Sequence, residues 1–284
     1  MSSKSNNSAK NSNKSQQGYD PKSAARRERM AEARAREVRA EAIRRRIVIG
    51  ASAVVVAALI GGVAIAIKSG TGHSSTSASS GGSSAPLVVP ANAGGPDGTV
   101  VTYGKADAAH TLDVYEDFRC PICKKFEESN GPTVQQLADN GTYKIQYHMA
   151  AFLDNNLGGK GSITALAAAG AALNQSVDDF KKFHDELYAN QPSEETDGYG
   201  SVNTILDVAA KVPGLKTDAF VKAVQDGTYL PWAQKVAAAF NSSGVQGTPT
   251  MKLDGKQLTL FDGAGNPISA AQYTTLIQQG TGTK

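Results

Sequence analysis

Thr111-Leu112-Asp113-Val114-Tyr115 runs, after Glu116-Asp117-Phe118-Arg119, into Cys120-Pro121-Ile122-Cys123-Lys124-Lys125-Phe126. The first five residues alternate polar and apolar side chains, the pattern of a strand entering a core. The cysteines that follow are the only two in the 284-residue chain. Proline is favoured at the first helical position, where its missing N–H costs nothing, so Pro121 predicts a helix over about 121–130. Cys120 then falls at or beside the N-cap and Cys123 inside the first turn. Thiols at i and i+3 lie one turn apart, and can close a disulfide with little backbone movement and reopen it by exchange. A loop this short removes little unfolded-state entropy, so a stabilising crosslink explains it poorly. A helix N-terminus lowers the pKa of the first thiol, which makes Cys120 the nucleophile and Cys123 the resolving thiol. Lys124 and Lys125 add charge that favours thiolate, or are plain solvated surface.

A zinc site is the competing reading of the pair. It needs four ligands and would have to recruit them from His73, His110, His148 and His184, none at paired spacing. His148, on an expected strand, reads as a packed or edge residue. No metal is assigned, and an inert structural disulfide stays as a second alternative.

The second informative segment is Gly247-Thr248-Pro249-Thr250-Met251-Lys252-Leu253. A proline opening an apolar strand cannot donate to a ladder, so it belongs at an edge, a bulge or a cis turn. With an upstream CxxC, the chain resembles the DsbA-like thioredoxin-fold thiol-disulfide oxidoreductases, membrane-anchored or secreted. The resemblance runs from about Gly98 to Gly280 and rests on Asp117-Phe118-Arg119-Cys120-Pro121-Ile122-Cys123-Lys124-Lys125-Phe126 and Gly247-Thr248-Pro249-Thr250. It implies that Cys120 exchanges with substrate sulfur, that Cys123 resolves the mixed disulfide, and that Thr248 and a cis Pro249 position the substrate backbone. Asp117 matches an acidic position common in the group, as a helix cap or a proton shuttle. The pair between the cysteines, Pro121-Ile122, lacks the histidine of strongly oxidising members. No cofactor beyond the dithiol is implied.

Composition divides the rest of the chain. Residues 1–46 open on a Ser/Asn/Lys/Gln stretch expected to be disordered and continue as a charged helix, with thirteen Lys or Arg against five acidic residues. Ile47 to Ile67 holds no charged residue and is about long enough to cross a hydrocarbon core of roughly 30 Å. A transmembrane helix is expected there, with the N-terminus cytoplasmic by the positive-inside rule. Residues 68–96 read as a flexible Ser/Gly linker. Residues 47–284 carry sixteen basic and twenty-one acidic side chains, so the positive charge belongs to the tail and no nucleic-acid partner is expected. A lone dithiol outside the membrane suits a disulfide-permissive compartment.

The fold expected for 97–284 is α/β: a thioredoxin fold with a helical insertion at about 155–243. Strands are expected at 99–103, 112–115, 143–149, 250–253 and 257–261, the last two joined by Asp254-Gly255, a strong hairpin signal. A second helical stretch is expected at 133–138, Ala-rich helices through the insertion, and a closing helix at 268–278. The function that follows is exchange of the Cys120–Cys123 disulfide with cysteines of secreted or envelope proteins, as an oxidase reset by a membrane redox partner. A tethered reductase is the alternative, and a non-catalytic module holding copper(I) or an envelope partner is a different class.

Overall fold

The computed structural model describes residues 86–282. The basic tail, the expected transmembrane helix and most of the expected linker lie outside the described residues. Among the described residues no helix is long and apolar enough to cross a membrane.

Five strands form one sheet: β1 (Val101–Tyr103), β2 (Thr111–Asp117), β3 (Lys144–Ala150), β4 (Thr250–Leu253) and β5 (Lys256–Gln257), in the order β1-β3-β2-β4-β5. β2 runs parallel to β3 and antiparallel to β4, and β1 lies antiparallel to β3. The parallel pair requires a crossover, which is α1 (Pro121–Asp139). Leu112 and Val114 sit between Ile145 and Tyr147 on one side and Leu253 and Met251 on the other, and all six are buried. β2 extends two residues beyond the expected Tyr115, through Glu116 and Asp117, because both faces of its C-terminal end are covered and the two acids are buried.

α1 is one continuous helix, not the two stretches expected. Pro132 removes one backbone bond, but Cys123, Phe126, Asn130, Val134 and Ala138 keep a single buried face on both sides of it. Asn130 Nδ2 also donates to Ile268 O at 2.9 Å, tying the middle of the helix to the far end of the chain.

Between β3 and β4 stand α2 (Phe152–Leu157), α3 (Gly161–Gln175), α4 (Val177–Ala189), a 3-10 turn at Gly198–Gly200, α5 (Val202–Ala209), α6 (Asp218–Gln225) and α7 (Leu230–Ser242). The sequence pattern did not foretell α2, whose Asp-Asn-Asn run reads as loop. α3 is buried nearly all round, as an Ala-rich helix packed on several sides must be. Its Gly170 makes that packing possible: a Cβ there would lie 2.7 Å from the Trp232 ring of α7.

The hairpin turn places Asp254 at φ 49° and Gly255 at φ 81°, the geometry for which Asp-Gly is selected. β5 stops at Gln257, short of the expected Phe261, because Phe261 leaves the ladder to pack against Phe126 with ring centroids 6.2 Å apart. α8 (Ala270–Thr281) then closes the chain, started by a reciprocal Ser269–Gln272 capping box. At the other end, the last residues of the expected linker are pinned to the domain. Asn92 Nδ2 donates to Leu173 O at 2.8 Å, and Gly94 pairs with Val100.

Candidate active site

Cys120 is the N-cap of α1. Its backbone is extended (φ −72°, ψ 114°), and its sulfur accepts from Cys123 N at 3.3 Å, the bond a serine or aspartate would accept at an ordinary cap. Pro121 fills the first turn, and Ile122 turns its side chain outward, 38 % exposed. The loop before β4 meets this turn from across the sheet edge. The Thr248–Pro249 peptide is cis, and the Cys120 thiol donates to the Thr248 carbonyl at 3.5 Å. The structure therefore brings Cys120, Cys123, Thr248 and Pro249 to one place from positions about 130 residues apart.

Both cysteines are free thiols, and their surroundings differ. The hydrogen bond from Cys123 lowers the Cys120 pKa. Burial opposes it, and Thr248 and the amides of Cys123 and Ile122 add to the lowering. Cys123 is fully buried, and burial, followed by its bond to Cys120 and the negative charge of Glu116, drives its pKa well up. The arrangement can hold one reactive thiolate and one reserve thiol. Lys124, in the first turn of α1, is partly exposed and pairs with Glu128 at 3.6 Å.

Asp117 does not cap α1. Its Oδ1 accepts from Arg119 N at 2.9 Å and Ser162 Oγ at 2.6 Å, and its Oδ2 accepts from Leu153 N at 3.2 Å, in the first turn of α2. The expected cap thus serves a different helix, one the sequence had not shown. Burial pushes the Asp117 carboxyl up to about 6, against those three hydrogen bonds.

Three further groups fix the turn and were missed. Arg119, only 5 % exposed, donates to Asp154 Oδ1 at 2.7 Å and Gly158 O at 2.9 Å. Gln191 Nε2 donates to Phe118 O at 2.8 Å and Cys120 O at 3.1 Å. Beneath the turn, Glu116 and His184 are both fully buried and joined Oε2 to Nε2 at 2.9 Å. A sequence signal for this last pair existed. Glu116 continues the inward positions of Leu112 and Val114 at period two, and His184 shares the apolar face of α4 with Phe180, Phe183 and Leu187.

The histidines of the zinc alternative are otherwise engaged: His110 with Asp254 at 2.7 Å, His148 with Asp113 at 2.9 Å, His184 as above. His148 stacks on Tyr115 with centroids 4.5 Å apart, a packed residue on an interior strand. His73 lies outside the described residues. Glu127, His184 and Asp185 bring donor atoms within 4.8 Å of one another. However, both ring nitrogens of His184 are hydrogen-bonded, and Lys181 holds both oxygens of Asp185 at 2.6 and 2.7 Å, so two of the three donors are already engaged.

The pattern of the thioredoxin family matches residues 97–279. The chain is 26 % identical over 159 residues to disulfide bond formation protein D of Bacillus subtilis, covering 56 % of this chain and 69 % of that one. Among solved structures it resembles the reduced disulfide bond oxidoreductase DsbG of Mycobacterium tuberculosis. The TM-score is 0.55 at 25 % identity, over 67 % of this chain and 90 % of the other. Oxidised DsbA of the same organism superposes with a TM-score of 0.54 at 25 % identity, over 64 % and 93 %.

Proposed function

We propose, from the premise that this chain belongs to the thioredoxin family and is a DsbA-like thiol-disulfide oxidoreductase, that it works as an oxidase, donating the Cys120–Cys123 disulfide to cysteine-containing substrate proteins. The observation that carries the direction is the Cys120 sulfur at the N-cap of α1, accepting from Cys123 N at 3.3 Å, a setting that lowers the pKa of its thiol. A group that stabilises the thiolate stabilises the reduced enzyme, and so makes the disulfide readier to be given up.

In the donating step a substrate thiolate attacks Cys120 Sγ of the disulfide, and the Cys120–Cys123 bond breaks with its electron pair on Cys123. A second substrate thiolate then attacks its partner sulfur in the mixed disulfide, leaving an oxidised substrate and a reduced enzyme. Thr248 and Pro249, set against Cys120, are in place to meet the substrate backbone. A redox partner restores the disulfide by the same steps in reverse.

The compartment belongs to the same proposal. A membrane anchor at Ile47–Ile67, a cytoplasmic N-terminus and an extracytoplasmic catalytic domain are supported by the charge and hydropathy of the sequence and by the need of an oxidase for a disulfide-permissive environment. Secreted or envelope proteins are then the substrates, and the resetting partner sits in the membrane. The test is the equilibrium redox potential of the protein against glutathione, read by thiol alkylation. A potential well above about −270 mV, the thioredoxin value, supports donation; one at or below it makes the protein a reductase.

A further inference from the structure

Five large apolar side chains are exposed among the described residues, and they fall at two places. Ile122 lies on the catalytic turn, and Leu157 ends α2 one residue before Gly158, whose carbonyl holds Arg119. The other three are consecutive: Leu87, Val88 and Val89, at 51, 39 and 41 %. In irregular chain successive side chains point different ways, and here the domain leaves much of each one uncovered. The run is nevertheless held in place from its C-terminal side. Pro90 is buried, Ala91 N donates to Asn174 Oδ1 at 3.1 Å, and Asn92 Nδ2 donates to Leu173 O. Farther on, Trp232 Nε1 donates to Gly98 O at 2.6 Å and Lys235 Nζ to Asp97 O at 2.8 Å. Leu173 and Asn174 belong to the C-terminal end of α3, whose other end meets the catalytic turn where Ser162 Oγ donates to Asp117 Oδ1. Ser162 and Leu173 are eleven residues apart, about 17 Å along a helix. The two apolar patches thus sit at opposite ends of α3.

We propose that Leu87, Val88 and Val89 dock on the lipid surface of the anchoring membrane, as an apolar foot that sets the catalytic turn at the end of α3 away from the bilayer. The inference rests on the membrane-anchored reading above and commits to lipid as the occupant. The length of chain outside the described residues argues for it. Ile67 ends the uncharged run, and nineteen residues, Lys68 to Pro86, precede Leu87. Their Ser/Gly-rich composition gives a root-mean-square reach of about 25 Å. A surface tethered at that distance is present at an effective concentration on the order of millimolar. Three half-exposed aliphatic side chains bind a free vesicle weakly, and at that concentration weak binding suffices. Held through Leu173 and Asn174, the run also loses little further freedom on docking. For disulfide exchange the consequence is orientation: Cys120 meets proteins arriving from solution, and lipid meets the other end of α3.

Fluorescence of the full chain in nanodiscs of phosphatidylcholine and phosphatidylglycerol, with and without brominated acyl chains, reads the depth of each patch. The unaltered chain carries one tryptophan, the buried Trp232, whose signal is subtracted. Leu87→Trp is expected to lose roughly half its emission or more to the bromines, and Leu157→Trp less than about a tenth. Val88→Asp, at an exposed position, should abolish the quenching in the Leu87→Trp chain and leave disulfide exchange unchanged. Quenching that survives Val88→Asp would mean that the tether alone brings the run to lipid, and equal quenching at positions 87 and 157 would remove the orientation; either overturns the proposal. So does absence of quenching at position 87, and a blue-shifted emission in that case would place a second copy or another protein on the run. A chain that fails to co-purify with the discs instead overturns the anchor itself, and the docking with it.

Discussion

Cys120 and Cys123 are one helical turn apart on the same helix, and the two regions around them share almost nothing. Cys120 sits where the chain turns, only 5 % exposed, its sulfur bonded to a backbone amide and to Thr248 from a distant loop. Cys123 faces inward among β2 and α4, above an acid, an imidazole and a lysine that exist as one buried charge cluster. The difference teaches that the helix N-terminus alone does not make a reactive thiol. The second thiol has the same dipole within reach, and desolvation overrides it.

The largest effect should come from exchanging the two regions' roles by removing either sulfur. Cys120→Ser abolishes disulfide exchange. Cys123→Ala lowers turnover by about a thousandfold or more while accumulating substrate mixed disulfides on Cys120, seen as ladders on non-reducing gels. Mixed disulfides trapped on Cys123 in the Cys120→Ser protein would break the division between an outer and an inner thiol.

Arg119 sharpens the comparison because it neighbours Cys120 yet belongs to the scaffold. Its guanidinium is buried against Asp154, whose side chain is 10 % exposed, so Arg119→Ala leaves a nearly buried carboxylate without its cation, held only by the amides of Ser162 and Ile163. The expected loss is about 3 kcal/mol of unfolding free energy in urea, with the rate of Cys120 alkylation little changed. A large fall in Cys120 reactivity at full stability would place Arg119 in the chemistry instead.

The inner region should also betray itself through pH. The folded-state pKa of His184 is raised to about 9 from an ordinary 6.5, so its stabilising contribution is complete below about pH 6.5 and is lost as pH rises through 9. The difference corresponds to about 3 kcal/mol. Glu127, which burial and the Glu116 charge push up to about 8, acts in the same direction, since the fold favours its protonated form. Unfolding free energy should therefore decline from pH 6 to 9.5, and His184→Gln should flatten that decline. A stability that rises over this range would mean that the cluster is not charged as its geometry demands.

The outer region was readable in the sequence and the inner one largely was not, for a physical reason. Cys120, Pro121 and Cys123 are neighbours in the chain, and Pro249 announces itself by standing where a strand begins, so local chemistry carried the pattern. Glu116 drew no reading and Asp117 was read as a helix cap or a proton shuttle, since polarity alone does not reveal a partner sixty-eight residues away, as His184 is for Glu116. The strands, the Asp254-Gly255 hairpin and the insertion helices followed from periodicity and turn residues. The errors fell where tertiary packing overrode local signals: Pro132 carried through α1, α2 formed from a polar run, and Phe261 drawn out of β5.

Gln191 offers the smallest effect and the finest test, because it touches the boundary between the regions. Its amide joins the connection after α4, the inner helix, to the carbonyls of Phe118 and Cys120 on the outer turn. In Gln191→Ala the Cys120 carbonyl keeps its helical partner, Lys124 N at 3.1 Å, so only the Phe118 carbonyl is orphaned. The expected cost is about 1 kcal/mol, the desolvation of a single acceptor. Loosening the turn also weakens the cap geometry that lets the Cys120 sulfur accept from Cys123 N, so the pH midpoint of Cys120 alkylation should rise, by less than about one unit. A loss of stability with no such rise would mean that Arg119 and Asp117 hold the turn by themselves, and that the inner region reaches the reactive sulfur only through Cys123.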